Sequence, residues 1–401
     1  DMYIVNTCSV TAESHRQSGQ LVRRCAHAGP TAVLGCASQK DASAFAAIPN
    51  VFYVGGCRDK GSVVGAVIDF AARNGLSEGS GALCEVCPME GAPYEPLSVS
   101  GRETNPLFSS CRAFVKIQDG CSSRCSYCVI PSLRGPTRSR PAEDILEEAD
   151  RLADAGYREI ILTGISVSSF ASGGFRLPDL IRAMGEKAER GIRWVRLGSV
   201  SPGSVNDAFL RAASESPNFM PHLHLSLQSG SDRILRAMNR PYTAEQAMEK
   251  VRMLRDAIPE IELSADFITG FPTETEEDFG RTVGFAKEAK LLHIHAFPYS
   301  EREGTPAAVM EGSVPKPVRR ERCARLNLVS GELRRERMSR KIGGTVEVLV
   351  EKTGRGFASG HTKEYMECRV RTGDAAVGDL LTCEVRSLDG DCLTGENAHA
   401  E

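Results

Sequence analysis

No stretch of the chain approaches the ~18 consecutive apolar residues that a membrane-spanning helix needs, so that kind of membrane partner is excluded. Nor is there an excess of charge of either sign. With 49 Lys+Arg against 52 Asp+Glu the formal net charge is -3, so bulk charge does not advertise nucleic acid and local patches must supply any such contact. Aromatic residues make up only 6%, with one Trp, Trp194, which reads as core. The opening segment does not read as an export signal, which would be basic and then apolar. The chain opens on Asp1 and enters Met2-Tyr3-Ile4-Val5 directly, which reads as a buried strand met partway through a domain; a missing N-terminal segment is expected. Disorder is excluded by 41% hydrophobic and 25% charged residues. A length of 401 residues predicts two or three domains. Cysteine, by contrast, is abundant at 14. Disulfide scaffolds are short chains dense in cysteine, so reduced thiols in a cytoplasm, some of them metal ligands, is the better reading here.

Residues 1–75 alternate short apolar runs with helical stretches. Strands are expected at Met2–Val5, Ala32–Leu34 and Val51–Val54, each followed by a polar turn carrying Cys8, Cys36 or Cys57. That rhythm predicts an open parallel α/β sheet, whose ligands sit at the carboxyl ends of strands. Residues 76–110, rich in Gly, Ser, Pro and Glu, read as a linker. A second alternation follows, with strands at Ala113–Ile117, Glu159–Leu162, Trp194–Leu197, Leu223–Leu227, Glu262–Phe267 and Leu292–Phe297 and helices between them. Such βα-type units predict a partial or full parallel barrel with its active site at the strand carboxyl ends. Residues 316–341 form a basic helix, with ten Lys/Arg against three Glu. The tail, 342–397, turns to short strands at Thr345–Val350, Cys368–Arg371 and Leu380–Val385, which predicts a small antiparallel barrel.

The chemistry concentrates in Cys121-Ser-Ser-Arg-Cys125-Ser-Tyr-Cys128, a C-x3-C-x2-C loop placed just after the first strand of the expected barrel. Three thiolates this close can each hold one iron of a cubane and leave the fourth iron open. S-adenosylmethionine (SAM) would take that position and be cleaved reductively to a 5′-deoxyadenosyl radical. The competing reading is a zinc knuckle, but zinc asks for a fourth ligand and usually for paired C-x2-C units. Cys84-x2-Cys87 is such a pair, and with two ligands it closes no site.

These residues resemble the radical SAM superfamily, and the surrounding motifs resemble its methylthiotransferases, which replace C–H by C–S–CH3. The resemblance runs along nearly the whole chain: Asn6-Thr-Cys-Ser-Val-Thr11, Gly35-Cys36, Gln118-Asp-Gly-Cys121, Arg134-Gly-Pro-Thr-Arg-Ser-Arg140, Leu162-Thr-Gly-Ile165, Leu223-His-Leu-Ser-Leu-Gln-Ser-Gly-Ser231, Gly270-Phe-Pro-Thr-Glu-Thr275, Phe297-Pro-Tyr-Ser300 and Gly304-Thr-Pro-Ala-Ala308. Gly360-His-Thr-Lys-Glu-Tyr-Met366 is similar to the small RNA-binding barrel, TRAM, that ends this family. It implies an α/β molecule in three parts: a truncated open parallel α/β domain over 1–95, a radical SAM partial (β/α) barrel over 105–335 and a TRAM-like antiparallel β-barrel over 340–401. Two 4Fe–4S clusters are implied, one on Cys121, Cys125 and Cys128, the other an auxiliary cluster on Cys8, Cys36 and a third cysteine upstream of Asp1; Cys57 is expected to be a buried or bystander thiol. The implied reaction is methylthiolation at C2 of N6-threonylcarbamoyladenosine, 3′ of the anticodon in tRNA, driven by cofactors rather than by a protein acid or base. An electron donor and a sulfur source are implied partners. Isopentenyladenosine and a ribosomal-protein side chain are the rival substrates. Ser201-Pro202 departs from the acidic residue that the threonylcarbamoyladenosine branch often has there. From another class, the rival is a cluster-free RNA-binding protein.

Further residues follow from position. Tyr127, between two cluster cysteines, matches an aromatic that packs near the SAM adenine in similar enzymes. Thr163-Gly164 ends a barrel strand where glycine admits a ligand close to the backbone. Gln228, Ser229 and Asp266 also end strands and are expected to line the SAM pocket. Arg134, Arg138 and Arg140 after the cluster loop, with the SAM carboxylate as their alternative partner, Arg334, Arg335 and Arg337 on the basic helix, and Lys363 in the tail are the expected RNA contacts, since arginine forms charge-assisted forks with phosphate and carboxylate. The tail itself carries ten Asp/Glu against six Lys/Arg. If it touches RNA, Lys352, Arg355, Lys363, Arg369 and Arg371 must share a face.

Overall fold

The computed structural model describes residues 1–58, 60–73, 81–94 and 111–398, which divide into two compact units. The first unit comprises residues 1–95, 119–138 and 300–310, the second the remainder. Most of the expected 76–110 linker, and the boundaries expected at 95, 105 and 401, lie outside the described residues.

The first unit is built on a parallel sheet of β1 (Tyr3–Thr7), β2 (Thr31–Gly35), β3 (Val51–Gly55) and β4 (Leu83–Glu85), in that spatial order. β2 and β3 are buried along their whole length, which explains their unbroken apolar text. On one face Val22 and Ala26 of helix Ala12–Ala28 meet Val5, Val33 and Val54. On the other, Phe70 of helix Ser62–Ala72 stacks on Phe52 at 4.1 Å. Thr11 caps the first helix in a reciprocal pair with Ser14, which starts it at Ala12, a short turn after Cys8. β4 corrects the reading of a plain linker. Its Leu-Cys-Glu side chains are exposed, so no alternation betrayed a strand, yet Tyr53 pairs with Leu83 and Gly55 with Glu85.

The second unit holds the half-barrel. Its strands are β5 (Arg112–Asp119), β6 (Arg138–Ser139), β7 (Glu159–Gly164), the small hairpin β8 (Ala171–Ser172) and β9 (Phe175–Arg176), β10 (Trp194–Leu197), β11 (His222–Gln228), β12 (Glu262–Thr269) and β13 (His293–Pro298). β5, β7 and β10 run parallel, as do β11, β12 and β13, and bridges Val195↔Phe219 and Val200↔Leu225 join the two sets. Leu223, Leu225 and Leu227 alternate with His222, His224 and Ser226 along β11; the leucines enter the core and the polar set faces the lumen. Capping boxes at Thr243/Gln246 and Thr275/Asp278 begin the helices before β12 and β13.

The chain ends in a closed barrel of β14 (Thr345–Gly354), β15 (Phe357–Thr362), β16 (Glu367–Arg371), β17 (Leu380–Asp389) and β18 (Cys392–Asn397). β15 and β18 escaped the sequence reading because each carries a glycine where strands cross closely. A Cβ on Gly360 would fall 1.7 Å from the Leu349 carbonyl oxygen, and one on Gly395 2.0 Å from that of Glu384. Trp194 is buried with Met220 and Leu349 and donates to Glu347 at 3.3 Å, a core role as expected.

Candidate functional site

The cysteine loop continues β5. Gly120 makes the turn at φ +70°, where a Cβ would lie 2.0 Å from the Pro136 carbonyl oxygen. The loop is cinched by Cys121 N–H donating to Gly135 O (3.0 Å), by reciprocal Ser122 and Thr137 backbone-to-hydroxyl bonds (3.1 Å each), and by Cys128 N–H donating to Cys125 O (3.1 Å). Cys121, Cys125 and Cys128 are part-exposed, and Tyr127 is half-buried between the last two. Among the described residues no three Cys, His, Asp or Glu side chains converge as one metal ion would require. A cubane takes each thiolate on its own iron, so three cysteines spread along one anchored loop fit it.

Cys8 and Cys36 stand one residue beyond the paired Thr7 and Gly35, at neighbouring strand ends. Thr7 ties them, its hydroxyl donating to Leu34 O (2.9 Å) and accepting from Ala37 N–H (3.2 Å). Cys57, expected to be a buried or bystander thiol, is buried; its thiol donates to the buried Cys36 Sγ across 3.8 Å, and Arg134 Nε donates to the same sulfur at 3.1 Å. The Cys57 bond, with the Arg134 charge, pulls Cys36 down to about 6 against its burial, while Cys57 as the donor is pushed up. With the Arg134 guanidinium on its sulfur, Cys36 is the readier of the pair to ionise, as a metal ligand must. Two thiolates about 2.3 Å from one tetrahedral ion sit roughly 3.8 Å apart, so this spacing suits two ligands of a single ion rather than of adjacent irons.

Within the second unit the half-barrel encloses a cavity of about 420 Å³, reaching from Thr163 and Gly198 to Tyr365 and lined by His222, His224, His293 and His295. Asp266 Oδ1 lies 3.1 Å from His224 Nε2; His224 Nδ1 lies 2.9 Å from Ser264 Oγ, which is 3.1 Å from His222 Nε2. His222 stacks on Tyr365 (5.1 Å) and Tyr365 on His361 (4.6 Å). Burial first, then the cationic side chains and histidines around them, push His222 and His293 down, His293 to about 4, so both are neutral imidazoles near pH 7.

Of the expected SAM residues, Thr163 lines this cavity, and Asp266 is joined to it through His224. At Gly164 a Cβ would lie 2.8 Å from Gln118 O, so the packing of β7 on β5 requires glycine there. Gln228 is buried in the left-handed region at φ +70°. Ser229 accepts from Ser231 N–H (3.1 Å) and meets Thr282 (3.3 Å), which makes it a brace for the following helix.

The expected RNA contacts divide. Arg134, part-exposed, is held by Cys36 and Asp119, and Arg140 is buried on Glu148. Arg138 spends two bonds on the carbonyls of Arg134 and Pro136. Arg337 clamps the buried Glu262 at 2.6 and 3.0 Å. The basic helix Lys316–Ser339 thus turns much of its charge inward, with Arg319 and Arg322 also buried. Arg335 is exposed, Arg334 lines the cavity beside Asp391 (3.5 Å), and Lys363 is 43% exposed. In the terminal barrel, register aligns Lys352, Ser359 and Arg369 across three strands and Phe357 beside Arg371, which puts basic groups and a 45%-exposed aromatic on one face.

The sequence reading missed the histidines and Tyr365. The signal was present in His222-x-His224 and His293-x-His295, since period two on a strand puts both members on one face.

A model of the radical SAM superfamily matches residues 115–286. The threonylcarbamoyladenosine tRNA methylthiotransferase MtaB of Bacillus subtilis is 33% identical over 96% of this chain and 85% of its own length. The tRNA-2-methylthio-N(6)-dimethylallyladenosine synthase of Mycobacterium ulcerans is 35% identical over 96% of this chain and 74% of its own. Among solved structures, the radical SAM methyltransferase TsrM of Kitasatospora setae aligns with a TM-score of 0.56 at 16% identity, over 77% of this chain and 65% of that one, a likeness of fold. No helix among the described residues is long and apolar enough to cross a membrane.

Proposed function

The chain belongs to the radical SAM methylthiotransferases, and from that premise we propose that it methylthiolates C2 of N6-threonylcarbamoyladenosine beside the anticodon of tRNA, in the cytoplasm. The reaction class rests on one observation above the others: a C-x3-C-x2-C loop anchored at the carboxyl end of β5, the position at which a parallel barrel keeps its chemistry. The substrate reading is supported by Asn6-Thr-Cys-Ser-Val-Thr11 and by relatives named for threonylcarbamoyladenosine that align along almost the whole chain.

Cys121, Cys125 and Cys128 would hold the 4Fe–4S cluster, and Cys8 and Cys36 would hold part of an auxiliary one. When bound, the first cluster supplies the electron that cleaves SAM. The protein's own share is placement. Gly120 and the Ser122–Thr137 pair fix the loop. Arg134 puts a fixed positive charge on Cys36 sulfur, a donor of the kind that tunes such clusters. Arg335, Lys363 and the face of Lys352, Arg369 and Phe357 offer phosphate and stacking contacts to a single-stranded loop whose base can leave the stack. The cleaved SAM, a sulfur source and an electron donor complete the partners.

The test is anaerobic reconstitution with iron, sulfide, SAM and a reductant, followed by nucleoside mass spectrometry of tRNAs bearing either threonylcarbamoyl- or isopentenyladenosine. Methylthio product on the first alone is expected. Product on isopentenyladenosine alone, or on a ribosomal protein, would reassign the substrate.

A further inference from the structure

The lumen of the half-barrel carries hydrogen-bonding groups besides Thr163 and Asp266, the two residues there that were expected to meet SAM. Its walls come from β7, β10, β11, β12 and β13, apolar at Ile161, Leu197, Leu292 and Met366 and polar at the four histidines and Ser264, and it also carries Phe114, which is 60% exposed. Three imidazoles have partners or close neighbours: His222 and His224 share Ser264, and His295 lies edge-on to His224 (5.1 Å) and His293 (4.4 Å). The buried Nδ1 of His293 has no hydrogen-bond partner. A buried polar atom left so is costly, and a ligand that bonds it removes the cost.

The closing side is strained as well. Tyr365 sits at φ +67° in the turn bounded by the Thr362 N–H to Met366 O bond (2.9 Å), and this sets its ring over the lumen between His222 and His361. Strained backbone on a bulky residue persists where surrounding contacts hold it, and it clusters at ligand clamps. Charge in the lumen leans positive. Arg196 is locked by Glu159 and by the carbonyls of Thr362 and Lys363, whereas Arg334 makes two long contacts to the exposed Asp391, 3.5 Å to its carboxylate and 3.4 Å to its carbonyl, and Glu367 is the carboxylate in the lining.

We propose that this lumen seats the N6 substituent of the substrate base, with His293 and His295 bonding its hydroxyl and urea groups, Arg334 pairing with its carboxylate and Tyr365 closing over it. The assignment rests on the reading of threonylcarbamoyladenosine as substrate and deepens it. The neutral state of His293 agrees with it, because a neutral imidazole both donates and accepts. An isopentenyl group would leave Nδ1 of His293 unbonded and Arg334 without an anion. A site built for polar groups rejects the analogue that lacks them more strongly than an apolar pocket rejects an added hydroxyl.

The test uses the reconstituted holoenzyme and anticodon stem-loops that differ only in the base, unmodified or threonylcarbamoylated. Binding without reductant gives one readout and kcat/KM the other. The unaltered protein should prefer the threonylcarbamoylated RNA at least tenfold. His293→Leu and Arg334→Met should each bring that ratio toward one, and His293→Gln should restore part of it. Iron content and far-UV circular dichroism report folding, and His295→Gln gives a second, milder variant should His293→Leu misfold. If the protein modifies threonylcarbamoyladenosine and the variants keep the full ratio, the lumen assignment is wrong and the substrate reading stands. If the protein turns over only isopentenyladenosine, the substrate reading falls and the lumen assignment with it.

Discussion

At the residue scale, the cysteines carry the claims that are easiest to test. Replacing Cys125 by Ala leaves two thiolates in a loop that needs three, and formation of 5′-deoxyadenosine from SAM should drop to background; chromatography of the quenched reaction checks it, and normal cleavage would refute the cluster assignment. Arg134 makes a subtler prediction. Hydrogen bonds to cluster sulfur raise reduction potential, so Arg134→Met should shift the cluster on Cys36 to a more negative potential in an EPR-monitored redox titration. An unshifted midpoint would mean that Cys36 holds no cluster. This role for Arg134 could not be read from the sequence, where an arginine after a cluster loop looks like a phosphate contact. Its partner sulfur is 98 positions away in the chain, and only the fold brings the two to 3.1 Å. The contact of Cys57 with Cys36 escaped for the same reason: a cysteine at a strand end is usually bland, and Cys36 belongs to the adjacent strand.

At the element scale, the basic helix Lys316–Ser339 shows how composition misleads. Its charge count predicted a phosphate-binding face, yet Arg319, Arg322 and Arg337 hold loop carbonyls or the carboxylates of Glu274 and Glu262. Arg337→Ala should therefore cost stability, about 3 kcal/mol by urea denaturation, because it strands the buried Glu262 charge. Arg335→Glu should leave stability alone but weaken tRNA binding and flatten its salt dependence. Equal salt slopes would make this helix a scaffold only. β13 carries a pH prediction. His293 is pushed from about 6.5 to about 4 in the fold, so the native state binds fewer protons than the unfolded chain. Its contribution is complete above pH 6.5 and is lost as pH falls toward 4; the urea midpoint should decline across that window, less steeply in His293→Leu. The parallel strands themselves were legible to within a few residues, because strands covered on both faces read as continuous apolar text. β4, β15 and β18 were not, being respectively exposed and interrupted by glycines at close crossings.

At the scale of the whole molecule, order along the chain was legible from motifs: cysteines at the strand ends of a first sheet, a cluster loop at the start of a half-barrel, a closed barrel at the end. The lumen was not, because it exists only when β11, β12 and β13 align their alternate residues around one space. The account stands or falls on whether this chain puts sulfur on a tRNA base. The direct measurement is mass spectrometry of nucleosides from threonylcarbamoyladenosine-bearing tRNA after incubation with the reconstituted protein, SAM carrying an isotopically labelled methyl group, and reductant. The account predicts a new nucleoside in which one hydrogen is replaced by a methylthio group, with the label in its methyl, together with 5′-deoxyadenosine, and neither in the Cys125→Ala protein. An unchanged tRNA from a protein that holds both clusters, cleaves SAM normally and binds the RNA would contradict it.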